Sequence, residues 1–238
     1  MKNRSKVIQE RNAVDTALYR YDPTVAEEVR AEFQTPEDCF VLGHVGRFFP
    51  QKNHMQLVDI FAAVHKMRPN SRLWLVGGGE LDDSLKNQVK SKVHELGLDE
   101  SVVFTGVRTD VNRLMQGMDL FILPSLFEGF PMTMIEAQSA GLPCMISDKV
   151  PPQCDVTGNV QIMTLDSTPE EWAKHILDQS DKYAAKSDRA DGAKSVTKAG
   201  YDIVKNAEWL QDFYVNALAK LKRGNAADGT NRDGPSRS

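Results

Sequence analysis

The chain has 238 residues, a formal net charge of −4 and an apolar share of 41%, enough for one large domain or two small ones around a buried core. The mildly acidic balance argues against a general nucleic-acid binder, and no run approaches the ~18 apolar residues of a membrane span. The polar N-terminus MKNRSKVIQERN is unlike a secretory signal, and three scattered cysteines, Cys39, Cys144 and Cys154, fit neither a disulfide framework nor a zinc site, so a reducing cytosol is the simplest setting.

Residues 1–38 are polar, with a helical stretch near 25–33 behind Asp22-Pro23. A regular alternation follows. The apolar run CFVLGHVG (39–46) ends in glycine, as a buried strand does. Residues 53–67 place Leu57, Ile60, Phe61 and Val64 on one helical face before Pro69-Asn70 stops them. RLWLVGGG (72–79), SVVFTG (101–106), DLFILPS (119–125), PCMIS (143–147) and VQIMTL (160–165) predict five more strands. Helices are predicted between them over 80–96, 111–118 and 132–140. Such alternation implies right-handed crossovers and a parallel sheet covered on both faces. Two more helices are predicted, over 169–179 and from about Tyr201 to Leu221. The latter carries Ile203, Ala207, Leu210, Tyr214, Ala217 and Leu221 on one stripe, with Trp209 and Phe213 beside it. GNAADGTNRDGPSRS (224–238) has too little apolar surface to fold and predicts disorder.

In an open α/β sheet, ligands bind beyond the carboxyl ends of the strands. The unusual glycine and charged residues of this chain fall just there. Gly46, Arg47 and Lys52 follow the first strand, Gly77-Gly78-Gly79 the second, and Gly106, Val107 and Arg108 the third. Ser125 and Glu128-Gly129-Phe130-Pro131 follow the fourth, Ser147-Asp148 the fifth. A guanidinium can grip two phosphate oxygens and an ammonium adds a compact charge. Taken singly, Arg47 and Lys52 read as solvated loop cations. Pro131 suits the first helical position, and free N–H groups at that helix start favour phosphate. Glu136 on the same side offers a carboxylate to the two neighbouring hydroxyls of a ribose. Alone, Glu128 would be a cap and Glu136 a surface residue; together the loops suit an anionic nucleotide. The dinucleotide fingerprint G-x-G-x-x-G and the P-loop G-x4-G-K-[ST] are both absent, which weakens oxidoreductase and NTPase readings.

The motifs VLGHVGRFFPQKNH, LWLVGGGEL, VVFTGVRTDV, MDLFILPSLFEGFPMTMIEAQSAGLPCMISD and GYDIVKNAEWL run between about Val7 and Tyr214. They resemble the C-terminal domain of a family 4 glycosyltransferase of GT-B fold, most closely the enzymes that build bacterial capsular and exopolysaccharides. The resemblance rests chiefly on Glu128 and Glu136, seven residues between them, joined to the Gly-Arg…Lys loop. It implies a nucleoside-diphosphate sugar donor, most often UDP-linked, and a saccharide or lipid-linked acceptor. Arg47 and Lys52 would contact and neutralise the diphosphate, Glu136 would bind the ribose, and Glu128 would lie beside the transferred sugar. The backbone of Gly129, Phe130 and Pro131 would touch sugar and phosphate, Gly46 and Gly77 would line the site, and Gly106 and Val107 would receive the base. Transfer with retention, without a bound metal or other cofactor, is implied as well. The five histidines, His44, His54, His65, His94 and His175, are scattered and read as structural.

The same resemblance implies that the N-terminal acceptor domain is missing from this chain. VIQERNAVD resembles only the interdomain crossover, and Gln153-Cys154 stand where relatives often carry a glutamate. The expected organisation is a crossover segment with one helix (1–38), a nucleotide-sugar-binding domain with C-terminal helices (39–223) and a tail (224–238). An uncovered final helix would favour self-association. Its basic end, Lys220, Lys222 and Arg223, suits a helix C-terminus, with contact to the inner face of a membrane as the other reading. A nucleotide-sugar-binding module without transfer, or an epimerase of similar fold, are the alternative functions.

Overall fold

The computed structural model describes residues 12–78, 83–184, 189 and 191–229. Six strands form one sheet: β1 (Phe40–Val45), β2 (Ser71–Val76), β3 (Val102–Gly106), β4 (Leu120–Leu123), β5 (Cys144–Ser147) and β6 (Val160–Met163). Every pairing is parallel and the order is β3-β2-β1-β4-β5-β6. The order reverses between β1 and β4, the place where a doubly wound sheet opens a crevice.

The helices are α1 (Pro23–Glu32), α2 (His54–Met67), α3 (Ser84–Glu95), α4 (Val111–Gln116), α5 (Met132–Ser139), α6 (Pro169–Ala184), α7 (Asp191–Lys198) and α8 (Ile203–Gly229). Alternate residues of β1 explain the two layers. Phe40 and Leu42 meet Leu57, Ile60 and Phe61 of α2 and Trp172 and Ile176 of α6. Val41 and Val45 join Val29 of α1, Leu114 of α4, and Met134 and Ala137 of α5 on the opposite face. A side-chain period of two, buried on both sides, requires a strand that is apolar throughout. Gly43 breaks the run because Met118 fills its place: a Cβ there would lie 2.0 Å from the Met118 sulfur.

Local chemistry sets the ends. Asp22 caps α1 through its side chain, accepting from Thr24 N at 2.9 Å, with Pro23 at the first helical position. Thr168 and Glu171 form a reciprocal cap on α6, Thr168 N donating to Glu171 Oε2 at 2.8 Å and Glu171 N to Thr168 Oγ1 at 3.2 Å. The structure departs from the expected elements in four places. α6 continues to Ala184 rather than ending near 179, and α7 was not expected. Pro131 is the cap of α5 rather than its first residue. α8 runs to Gly229, through the first part of the segment expected to be disordered. Once a helix is nucleated, each added residue costs little and alanine least of all. Residues 1–11, the expected helix start at 80–82 with Gly79, and the tail beyond 229 lie outside the described residues.

Candidate functional site

The loop after β1 turns back through Pro50–Lys52 and reaches α2 on Asn53, whose backbone is left-handed at φ 56°. An asparagine tolerates that conformation better than most side chains. The turn carries its polar groups towards the loop after β4, on the other side of the strand-order reversal. Asn53 Nδ2 donates to Pro124 O at 3.1 Å, and Gln51 O accepts from Leu126 N at 2.8 Å. Gln51 Nε2 donates to Phe127 O at 2.8 Å and to Glu128 Oε2 at 3.1 Å. The two loops are therefore laced together by backbone and side chain.

At the centre, Lys52 Nζ lies 2.6 Å from Glu128 Oε1, with the side chains 18% and 8% exposed. Ser125 Oγ donates to the same oxygen at 2.8 Å, and Ser147 Oγ fixes the Ser125 carbonyl at 2.5 Å. Glu128 thus accepts from an ammonium, a hydroxyl and an amide, the company a largely buried carboxylate requires. The aliphatic stem of Lys52 passes Gly46: a Cβ there would meet its Cδ and Cε at 3.3 Å.

Arg47 is exposed, and its guanidinium has no partner among the described residues. Its neighbours form a tight shelf. Gly77, at φ 149°, packs so closely that a Cβ would stand 2.1 Å from the Gly46 carbonyl oxygen. Phe48 N donates to Gly78 O at 2.8 Å and Gly77 N to Gly106 O at 3.0 Å, which joins the loops after β1, β2 and β3. Val107, 81% exposed, stands at the far end of this shelf, over Gly78. Arg108 is committed elsewhere: it pairs with both Asp110 oxygens at 2.7 and 2.8 Å and with Glu32 at 2.8 Å.

Beyond Glu128, Gly129 is exposed with open space where a Cβ would point. Phe130 stacks on Tyr201, ring centroids 5.6 Å apart. Among the described residues no side chain caps α5 behind Pro131; Met134 N donates to Pro131 O at 3.0 Å, so the Met132 and Thr133 N–H groups keep their capacity for an anion. Glu136 lies further along this helix and is half-buried. Burial pushes the Glu136 carboxyl up, and the nearby Tyr19 hydroxyl draws it partly back. The Tyr19 phenol is raised well above its usual range by burial and by the Glu136 charge.

Under the β1 loop sit two buried histidines. His44 Nδ1 bonds Ile122 O at 2.9 Å, while His44 Nε2 and both nitrogens of His54 have no partner among the described residues. The rings meet edge to face at 4.8 Å, and His54 stacks on Phe48 at 4.3 Å. Burial lowers His44 to about 4, with Lys52 adding to the effect. His54 falls to about 2 through burial, then His44 and Lys52.

The structure therefore gathers Gly46, Arg47, Lys52, Gly77, Gly106, Val107 and the 125–131 loop at the carboxyl edge of the sheet. Glu136 follows on α5. Gln51 and Tyr19 were not singled out from sequence. Gln51 could have been, since it adjoins Lys52 in the same turn; Tyr19 lies in a polar stretch with no motif around it.

A family model described as glycosyl transferases group 1 matches residues 25–194. The chain is 31% identical over 204 residues to the putative glycosyltransferase EpsF of Bacillus subtilis (strain 168), covering 85% of this chain and 52% of that protein. It is 30% identical over 188 residues to the UDP-Gal:alpha-D-GlcNAc-diphosphoundecaprenol alpha-1,3-galactosyltransferase of Escherichia coli, covering 76% and 46%. The chain thus spans about half the length of these curated relatives. Among solved structures, Anabaena Alr3699/HepE in complex with UDP and glucose superposes with a TM-score of 0.74 at 23% identity, over 87% of this chain and 56% of that one. The C-terminal domain of the group 1 family protein LpcC from Francisella tularensis gives 0.64 at 20% identity, over 80% of this chain and 99% of that one. These two share its α/β fold. With a family model matching most of its length and these relatives beside it, the chain belongs to the glycosyl transferases group 1 family.

Proposed function

We propose that this chain is the donor-binding half of a retaining glycosyltransferase that takes a sugar from a nucleoside diphosphate, UDP by preference, and passes it to a saccharide or lipid-linked acceptor. The observation that carries the reading is the lacing of the β1 and β4 loops at the strand-order reversal. There a free guanidinium, a lysine and an uncapped helix start share one sheet edge. Arg47 and Lys52 take the diphosphate. The Lys52 ammonium has three donors, so it can keep Glu128 while offering others to phosphate. Glu136 takes the ribose hydroxyls, Gly106 and Val107 the base, and Glu128 with the backbone of Gly129, Phe130 and Pro131 the transferred sugar. Breaking a glycosyl–phosphate bond leaves negative charge on the diphosphate. Cations and N–H donors fixed beforehand stabilise that state more than the intact donor.

A second domain would supply the acceptor site and cover α8, whose Ile203, Val204, Trp209, Tyr214, Val215 and Leu218 are exposed. No helix among the described residues is long and apolar enough to cross a membrane, and we place the reaction on the cytoplasmic side. A thermal-shift panel of UDP, GDP, ADP and their sugars, with calorimetry on the best ligand, tests the reading. Arg47→Ala and Lys52→Ala should weaken UDP far more than Arg108→Ala, whose side chain is already neutralised by Asp110 and Glu32. No shift with any nucleotide at millimolar concentration, or equal loss in all three variants, would overturn it.

A further inference from the structure

The geometry points to Gln51 as a positioning residue of the sugar subsite: its side-chain amide aims the Glu128 carboxylate at a hydroxyl of the transferred sugar. The inference rests on the nucleotide-sugar reading above and adds a residue to which that reading gives no role. Gln51 lies in the turn after β1 and clips Leu126, Phe127 and Glu128 of the loop after β4. Its carbonyl accepts from Leu126 N at 2.8 Å. Its Nε2 donates to Phe127 O at 2.8 Å and to Glu128 Oε2 at 3.1 Å. A primary amide carries two N–H donors, and here each meets one acceptor. Because both partners are acceptors, the side chain fits in one orientation only, with its nitrogen towards the loop.

The carboxylate is held through both oxygens. Oε1 accepts from Lys52 Nζ at 2.6 Å and from Ser125 Oγ at 2.8 Å. Ser125 is itself pinned, since its carbonyl accepts from Ser147 Oγ at the end of β5 at 2.5 Å. Among the described residues, Gln51 is the partner of Oε2. A carboxylate has about four lone-pair directions. Lys52 and Ser125 take the two on Oε1, Gln51 takes one on Oε2, and the last is left for a hydroxyl. Without the amide the group keeps its anchor at Oε1 but can pivot about it, and the free direction on Oε2 loses its aim. The Glu128 side chain is only 8% exposed, so water replaces a lost donor poorly. A glutamate at position 51 would have the same shape but would set two acceptors against two.

Gln51→Met in the full chain keeps an unbranched side chain and removes both donors. Two readouts separate positioning from packing. First, the side-chain amide protons of Gln51 are assigned by NMR from their loss in Gln51→Met. One of them should shift in Glu128→Ala; an unmoved pair overturns the proposal whether or not nucleotide binds. Second, UDP is compared calorimetrically with UDP-glucose and UDP-galactose, and the sugar nucleotide that the wild type binds more tightly serves as the probe. Gln51→Met should weaken that probe about fivefold, the ordinary worth of one hydrogen bond, and leave UDP near wild type. Gln51→Glu should weaken the probe further. In a Glu128→Ala background Gln51→Met should cost nothing more, because no carboxylate is left to aim. Equal weakening of UDP and the probe would show a packing role alone and refute the aiming role, as would wild-type affinity for both or an undiminished loss in the Glu128→Ala background. If the wild type binds UDP and the sugar adds nothing to its affinity, the roles of Glu128 and Gln51 fall while nucleotide binding stands. If it binds none of UDP, GDP and ADP, the nucleotide reading fails, and this role with it.

Discussion

Acidification should unfold this domain earlier than its carboxylates alone would, and the cause lies in His44 and His54. Both are buried, and burial lowers them to about 4 and about 2 from an ordinary value near 6.5. A histidine lowered in the folded state favours folding fully above its unfolded value. That contribution is lost as pH falls below it, because the unfolded chain takes up the proton first. Between pH 7.5 and 5 each residue removes about 2 kcal/mol, and the pair about 4 kcal/mol, a large part of the roughly 5–15 kcal/mol typical of a domain. Asp110, lowered to about 2 chiefly by its Arg108 hydrogen bonds, adds its own loss only below the carboxylate range. Glu136, raised by burial, works in the opposite direction. Urea unfolding at pH 7.5, 6.5, 5.5 and 5.0 measures the slope. His54→Phe keeps the stack on Phe48 and removes two unpartnered nitrogens. It should be at least as stable as wild type at pH 7.5 and should lose only about 2 kcal/mol by pH 5. An acid slope identical in variant and wild type would refute the reasoning.

Gly77→Ala forces a methyl to within 2.1 Å of the Gly46 carbonyl; it should lower the urea midpoint and abolish any UDP-induced thermal shift. Arg189 donates to the carbonyls of Met115, Gln116, Met118 and Ala140, at the ends of α4 and α5. Arg189→Met should cost at least about 2 kcal/mol in urea unfolding, since buried acceptors lose their donor. Glu128→Gln should leave UDP affinity near wild type while weakening a UDP-sugar, which paired calorimetric titrations would show; the reverse ranking would exchange the roles of Glu128 and Glu136. Trp209→Ser with Tyr214→Ser should reduce concentration-dependent association of the chain in sedimentation, and a wild-type profile that is monomeric throughout would show that α8 needs no cover.

Much of the architecture is legible because each strand is a short apolar run that ends in glycine or a polar loop, and buried parallel strands demand that pattern. Short helices with few apolar residues are not legible: α7 buries only Gly192, Ala193 and Val196, too little to make a period. The length of α8 is hidden for a different reason, since composition judges the tail by what it could bury, whereas helix continuation depends on the turn before. At the site, position after a strand identifies Arg47, Lys52, Glu128 and the glycines. That Lys52 and Glu128 neutralise each other across 76 residues is a tertiary fact, and no local pattern announces it. Tyr19 is the sharper case. A tyrosine in a polar segment is unremarked until folding brings it against a carboxylate on α5.

The parallel bridge between Val14 and Asp202 has a consequence for modularity. All six strands are spooled out between two points that stand side by side, so the body enters and leaves through one doorway. A unit built in this way can be lifted out, or seated within a larger polypeptide, without prising its flanking segments apart. Swapping such cassettes between relatives would preserve the spacing at the seam, and it offers a physical route by which this sheet and its edge loops could be exchanged while the rest of a larger polypeptide stays as it was.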